Sequence, residues 1–115
     1  MQYMLLIYAN EAGLATMTEA QGKEVMAAYT AYSEALRKAE VLVASDRLKP
    51  TATATTVRMA SGKTEVLNGP YAETREQLGG FYIVDVPDLD AALSWAARCP
   101  GASYGSIEVR PVWAM

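Results

Sequence analysis

The order of apolar patterns along this chain predicts an α+β fold on an antiparallel sheet. Three observations carry that expectation. Apolar, β-branched and aromatic runs at residues 3–9 and 81–86 read as strands. Two stretches with helical spacing open on good capping residues, Thr18 and Asp88. Between them a Thr-rich alternating segment, 51–59, turns and returns through 64–67 as a hairpin. Strand, helix, strand, hairpin, strand, helix, strand is the ferredoxin-like βαββαβ plan with an inserted β-hairpin, both helices lying on one face of the sheet.

The first strand alternates Tyr3, Leu5 and Ile7 with Met4, Leu6 and Tyr8. Neither face is polar, so both are expected to be covered. Residues 10–17 read as a connector. Thr18 with Gln21 three residues later is a capping-box pattern, and Glu19 suits the positive end of the helix dipole. Val25, Tyr29, Tyr32 and Leu36 form the apolar stripe of that helix. A second strand is expected at 41–44, followed by a polar loop at 45–50. In the third strand Thr53, Thr55, Val57 and Met59 alternate with Ala54, Thr56 and Arg58. Asn68-Gly69-Pro70 is a strong turn signal, because Asn and Gly tolerate positive φ and proline cannot continue a ladder. Residues 71–78 are polar and permit a helix, which Gly79-Gly80 would end. Pro87 closes the buried strand at 81–86. Leu89, Ala92, Leu93 and Ala96 line the second helix, Cys99-Pro100-Gly101 stops it, and 106–113 alternates as the last strand.

Composition narrows the function. With 115 residues, 51% hydrophobic and 20% charged, the chain suits one folded domain over 1–115. The formal net charge is −3 and like charges do not cluster, so direct nucleic-acid binding is not expected. A single cysteine, Cys99, excludes an internal disulfide and suits a reducing compartment. No apolar run approaches the ~20 residues of a membrane helix. Residues 1–9 lack the basic start of a signal peptide, so no membrane and a cytoplasmic location are expected. Histidine is absent, which removes the commonest general base and metal ligand. No metal and no cofactor are therefore expected.

Residues 68–80, NGPYAETREQLGG, resemble the signature of the DGPF proteins, a branch of the YCII-related superfamily. Their core reads Asp-Gly-Pro-Phe-Ala-Glu-Thr-Lys-Glu and then Gln-Leu-Gly-Gly. The likeness continues through residues 82–90, 95–98, 105–111 and the opening 3–8. Asn68 stands where the family has Asp, and Tyr71 where it has Phe. The resemblance implies a dimeric α+β barrel with a cleft between sheets and loops. It also implies a catalytic His–Asp dyad in some relatives, whose His position falls near Tyr29 here. Tyr29 lies in the apolar stripe of the first helix and reads better as a core tyrosine. Relatives are often encoded beside extracytoplasmic-function sigma factors.

The candidate ligand-binding residues follow from the turns and from the uncovered sheet face. Asn68, Gly69 and Tyr71 form either a polar pocket or a rigid turn in which Asn68 caps its own backbone. Glu108 and Arg110 lie two apart on one strand face, lining a cleft or forming an intersubunit or solvated pair. Arg58 would join them as an anion clamp or belong to the polar face of an edge strand. Asp46-Arg47 at a strand end is a similar case, and Tyr29 enters by the resemblance. Arg110 cannot be left dry and unpaired, so it should contact Glu108, a partner carboxylate or an anionic ligand. Cys99 ends a helix, where the dipole does not activate a thiol, and reads as structural. The expected function is a homodimer, joined through its sheet faces, that binds or senses a small molecule, including an anionic one. A cofactor-independent enzyme in the same cleft and an accessory protein linked to a sigma factor are the alternatives.

Overall fold

The computed structural model describes residues 1–114. The elements are β1 (Gln2–Ala9), α1 (Glu11–Leu14), α2 (Glu19–Lys38), β2 (Leu42–Arg47), β3 (Thr55–Ala60), β4 (Lys63–Asn68), β5 (Gln77–Asp85), α3 (Leu89–Arg98) and β6 (Ser106–Pro111). β2-β5-β1-β6 form one antiparallel sheet, the strand order of a ferredoxin-like α+β fold, while β3 and β4 pair apart from it.

Both long helices start where local chemistry directs. Thr18 Oγ1 accepts the Gln21 N–H at 3.1 Å, and Gln21 Oε1 accepts the Thr18 N–H at 2.9 Å. This reciprocal capping box satisfies two amides that the first helical turn leaves without partners. Asp88 does the same for α3, accepting the Ala91 N–H at 2.9 Å. Tyr32 and Leu36 of α2 then pack on Tyr3 and Leu5 of β1, Tyr82 and Val84 of β5, and Ala92 and Ala96 of α3. Tyr32 keeps its hydroxyl satisfied by donating to the Trp95 carbonyl at 2.7 Å, and its ring meets Tyr82 edge-on at 5.2 Å.

Four segments differ from the sequence expectation. β2 runs on through Ser45, Asp46 and Arg47, where a loop was expected. It is an edge strand, and edge strands carry polar side chains. No helix forms at 71–78; β5 begins at Gln77 and takes Gly79 and Gly80 into the strand. Its register with β1 slips there, from Ile7↔Gly80 to Tyr8↔Leu78, which makes Gly79 a bulge. Gly80 lets β2 come close: a Cβ there would lie 2.7 Å from the Asp46 carbonyl oxygen. Residues 51–53 form a 3-10 turn rather than strand, because the Glu11 carboxylate accepts the Thr51 N–H at 2.9 Å and its hydroxyl at 2.7 Å. The connector after β1 contains the short α1, capped by Asn10. In α3, Ala92 and Ala96 are buried, whereas Leu89 and Leu93 stay nearly half exposed at the edge of the stripe.

Strand alternation gives the sheet a second face, away from α2 and α3. Across it run two rows, Asp46–Phe81–Leu6–Glu108 and Ala44–Ile83–Met4–Arg110. The four apolar side chains at the centre are only partly buried. They form a stripe with charged residues at its margins.

Candidate binding cleft

A cleft of about 810 Å³ opens between α2 and the β2–β5 edge of the sheet. Its size falls in the ~300–1,000 Å³ range of small-molecule sites. Ile7 and the two glycines of β5 border it on the sheet side, and Leu14, Met17, Val25 and Met26 supply apolar walls. Because Gly80 has no side chain, it leaves that floor open and keeps β2 within hydrogen-bonding distance of β5.

A few polar groups converge on this apolar surface. Ser33 Oγ and Tyr82 OH lie 2.8 Å apart, one donating to the other. Tyr29 OH accepts from the Cys99 thiol at 3.8 Å and lies 2.7 Å from where a Cβ on Gly101 would be. Arg47 reaches from β2 toward α2, its Nη1 3.5 Å from the Met26 sulfur. Among the described residues no carboxylate lies within ion-pair distance of Arg47, whereas Arg37 is paired with Glu34 at 3.2 Å.

Desolvation sets the protonation of this region. Burial, then the charges that Cys99 and Tyr104 would carry, raises the Tyr29 pKa far above its ordinary value. Burial raises Tyr32 as well, and raises Tyr82 against the opposing pull of its Ser33 hydrogen bond. The Cys99 thiol is also pushed up by burial, with the Gly101 backbone and Tyr29 pulling the other way. Near neutral pH these groups are hydrogen-bond donors rather than bases. A tyrosine whose folded pKa exceeds its unfolded value of ~10 stabilises the fold fully below that pH, and the contribution is lost as pH rises toward the folded value. Tyr29, Tyr32 and Tyr82 are therefore expected to ionise only as the protein unfolds in alkali. Stopped-flow tyrosinate absorbance should contain a phase that coincides with loss of circular dichroism. Complete ionisation in the dead time with the dichroism intact would refute this.

The sequence-derived candidates fall on three surfaces. Tyr29 and Asp46 border the cleft, with Asp46 flanking Gly80 through its backbone while alternation turns its side chain to the open sheet face. Glu108 and Arg110 lie on that same open face, paired at 3.4 Å and well exposed. In this chain the pair contributes about 0–1 kcal/mol. Arg58 is on β3, 3.4 Å from Glu65. Asn68 ends β4 opposite Thr55, and Tyr71 is 86% exposed. Gly69 takes φ +107°, donates to the Ala54 carbonyl at 2.7 Å and accepts the Thr56 hydroxyl at 2.9 Å. These bonds make the Asn-Gly turn the root of the β3–β4 ribbon.

The later part of the signature is also structural. Gln77 accepts the Glu11 N–H through Oε1 at 2.9 Å and donates through Nε2 to the Thr74 carbonyl at 2.6 Å. Glu76 accepts the Ser106 hydroxyl at 2.7 Å. The segment thus ties the start of α1 and the start of β6 to β5. Sequence reasoning passed over Ser33 and Tyr82 as cleft residues, and reached Arg47 only as the neighbour of Asp46 at a strand end. One signal was present: Met26, Tyr29, Thr30, Ser33 and Arg37 share a helical face beside the apolar stripe. Among the described residues no three His, Cys, Asp or Glu side chains are grouped to hold a metal ion. No helix among them is long and apolar enough to cross a membrane.

A ferredoxin-like α+β fold with a helix-roofed cleft is an architecture shared by many proteins, and comparison with known families narrows it. The YCII-related domain family matches residues 1–115, and the chain belongs to that family. It is also 40% identical over 114 residues to an uncharacterized protein of Rhizobium meliloti (strain 1021), covering 97% of this chain and 92% of that one.

Proposed function

We propose that the protein is a small-molecule-binding homodimer whose ligand occupies the cleft beneath α2. The observation that carries this reading is the cleft's composition: apolar walls, a few convergent hydroxyls and one guanidinium with no carboxylate partner among the described residues. Such a site suits a small molecule with an apolar body and an anionic group, the body against Val25 and Met26 and the anion at Arg47. Near neutrality Tyr29 and Tyr82 are protonated and can donate hydrogen bonds to such a ligand. The dimer reading rests on the stripe of Met4, Leu6, Phe81 and Ile83, an apolar sheet face that the described residues leave only partly buried. An isologous pair would cover it on both copies at once.

A thermal-shift screen of small aromatic and aliphatic carboxylates, each beside its neutral amide, tests the site. The carboxylates are expected to stabilise the protein more than the amides. Arg47→Met should then weaken the best carboxylate by about 10–100-fold in calorimetry, the value of a charged hydrogen bond. Equal binding by Arg47→Met and the parent would remove the cleft from consideration.

A further inference from the structure

Two polar points border the cleft, and α2 sets the distance between them. Met26 and Ser33 both lie on that helix and both line the cleft. Their separation in sequence is almost two helical turns, so they share one face, about 10 Å apart along the axis. At the first point Arg47 Nη1 meets the Met26 sulfur at 3.5 Å. A thioether is a weak acceptor, so the guanidinium keeps its donors for a better partner. At the second point Ser33 and Tyr82 share one hydrogen bond of 2.8 Å. The sheet keeps the same order: Gly80 pairs with Arg47 and Tyr82 with Ser45, one repeat of about 7 Å further along the strand.

Counting protons makes the second point a donor. Two hydroxyls bring two protons, and the bond between them uses one, whichever way it runs. Among the described residues neither oxygen makes another hydrogen bond, so one O–H is left over at the cleft wall. Arg37 also borders this end, but Glu34 meets its charge at 3.2 Å, which suits the end to an uncharged acceptor. Between the two points the walls hold little for a polar group. Thr30 spends its hydroxyl on the Met26 carbonyl at 2.9 Å, and Gly80 has no side chain.

We propose that the cleft takes an elongated monocarboxylate bearing an uncharged acceptor oxygen, such as a ketone carbonyl, about 7–10 Å from the carboxylate. The carboxylate sits at Arg47, the carbonyl accepts from the Ser33–Tyr82 pair, and the apolar chain between them crosses Gly80 against Ile7 and Val25. This ligand class rests on the cleft reading above and adds to it a far end and a length. Ser33 and Tyr82 set specificity, because a ligand that leaves their spare donor unpaired loses the bond and still removes its water.

The test titrates straight-chain methyl-ketone carboxylates of increasing length into the full chain by calorimetry. Each is run beside the carboxylate that has a methylene in place of the carbonyl. At the matching length the ketone is expected to bind about 3–10-fold tighter than its methylene partner, the worth of one neutral hydrogen bond. At shorter lengths the two should bind alike. Ser33→Ala/Tyr82→Phe keeps the residue 82 ring against Tyr32 and should abolish the ketone's advantage. Carboxylates that bind through Arg47 with no gain from the carbonyl at any length would overturn this ligand class and leave the cleft reading standing. So would a double variant that retains the preference. An Arg47→Met protein that binds the whole series as the parent does would overturn both. The length series needs only the parent chain, so it decides the matter even where the double variant does not fold.

Discussion

Leu6→Glu is expected to leave a folded monomer and to abolish the proposed sheet-to-sheet dimer. Leu6 lies at the centre of the open sheet face, between Phe81 and Glu108. In an isolated chain the new carboxylate meets water, because this face is uncovered and Leu6 is only partly buried. In a sheet-to-sheet dimer it would be buried beside Glu108, and the same charge would enter from the other copy. Desolvating an unpaired carboxylate costs several kcal/mol per ion. The dimer should therefore weaken by about a thousandfold or more. Light scattering across a dilution series and far-ultraviolet dichroism read the two consequences separately. A variant that stays dimeric with the parent's Kd would show that the copies, if they pair, use another surface.

The second large effect is expected at Gly105, just before β6. Its N–H donates to the Gly101 carbonyl at 2.7 Å, which holds the backbone tightly in place. A Cβ built there overlaps the Tyr8 carbonyl oxygen, with Ala9 Cα at 3.3 Å. These are backbone atoms of the central strand β1, paired on both sides, so they cannot rotate away as a side chain would. Gly105→Ala should exceed the ordinary overpacking cost of about 1–3 kcal/mol, because either the β1–β6 pairing or the 3-10 turn at Pro100–Ser103 must open. Urea unfolding measures it, and a loss below about 1 kcal/mol would mean that the loop shifts freely. Gly80→Ala meets a single carbonyl and should cost less.

The contrast between these two glycines shows what the sequence could reveal. Thr18 and Asp88 were readable as caps because each bonds an amide three residues away, so the whole interaction is written in one short window. The two-sided apolar strands were readable because alternation is local. Gly79-Gly80 was misread as a helix stop because its role depends on Asp46, more than thirty residues earlier. Ser45, Asp46 and Arg47 read as a loop because polar residues at a sheet edge and in a turn look alike until pairing is known. The cleft was half visible. Tyr29 stands out by helical spacing, but the Ser33–Tyr82 pair and the approach of Arg47 to Met26 exist only through strand register. Asn68, Gly69 and Tyr71 were sound as a turn, and the structure puts that turn at the root of the ribbon.

The ribbon also has two long sides. With only two strands, β3 and β4 each keep one margin of N–H and C=O groups without a ladder partner. Such a margin can recruit any extended segment that meets it, and the Thr-Val-Met composition of β3 is well suited to that. Arg58, Lys63 and Glu65 are the local counterweight, because adding a third strand in register would stack like charges. Seen this way, those three residues bear on colloidal stability through their charge alone. Their removal would bring turbidity before any loss of fold.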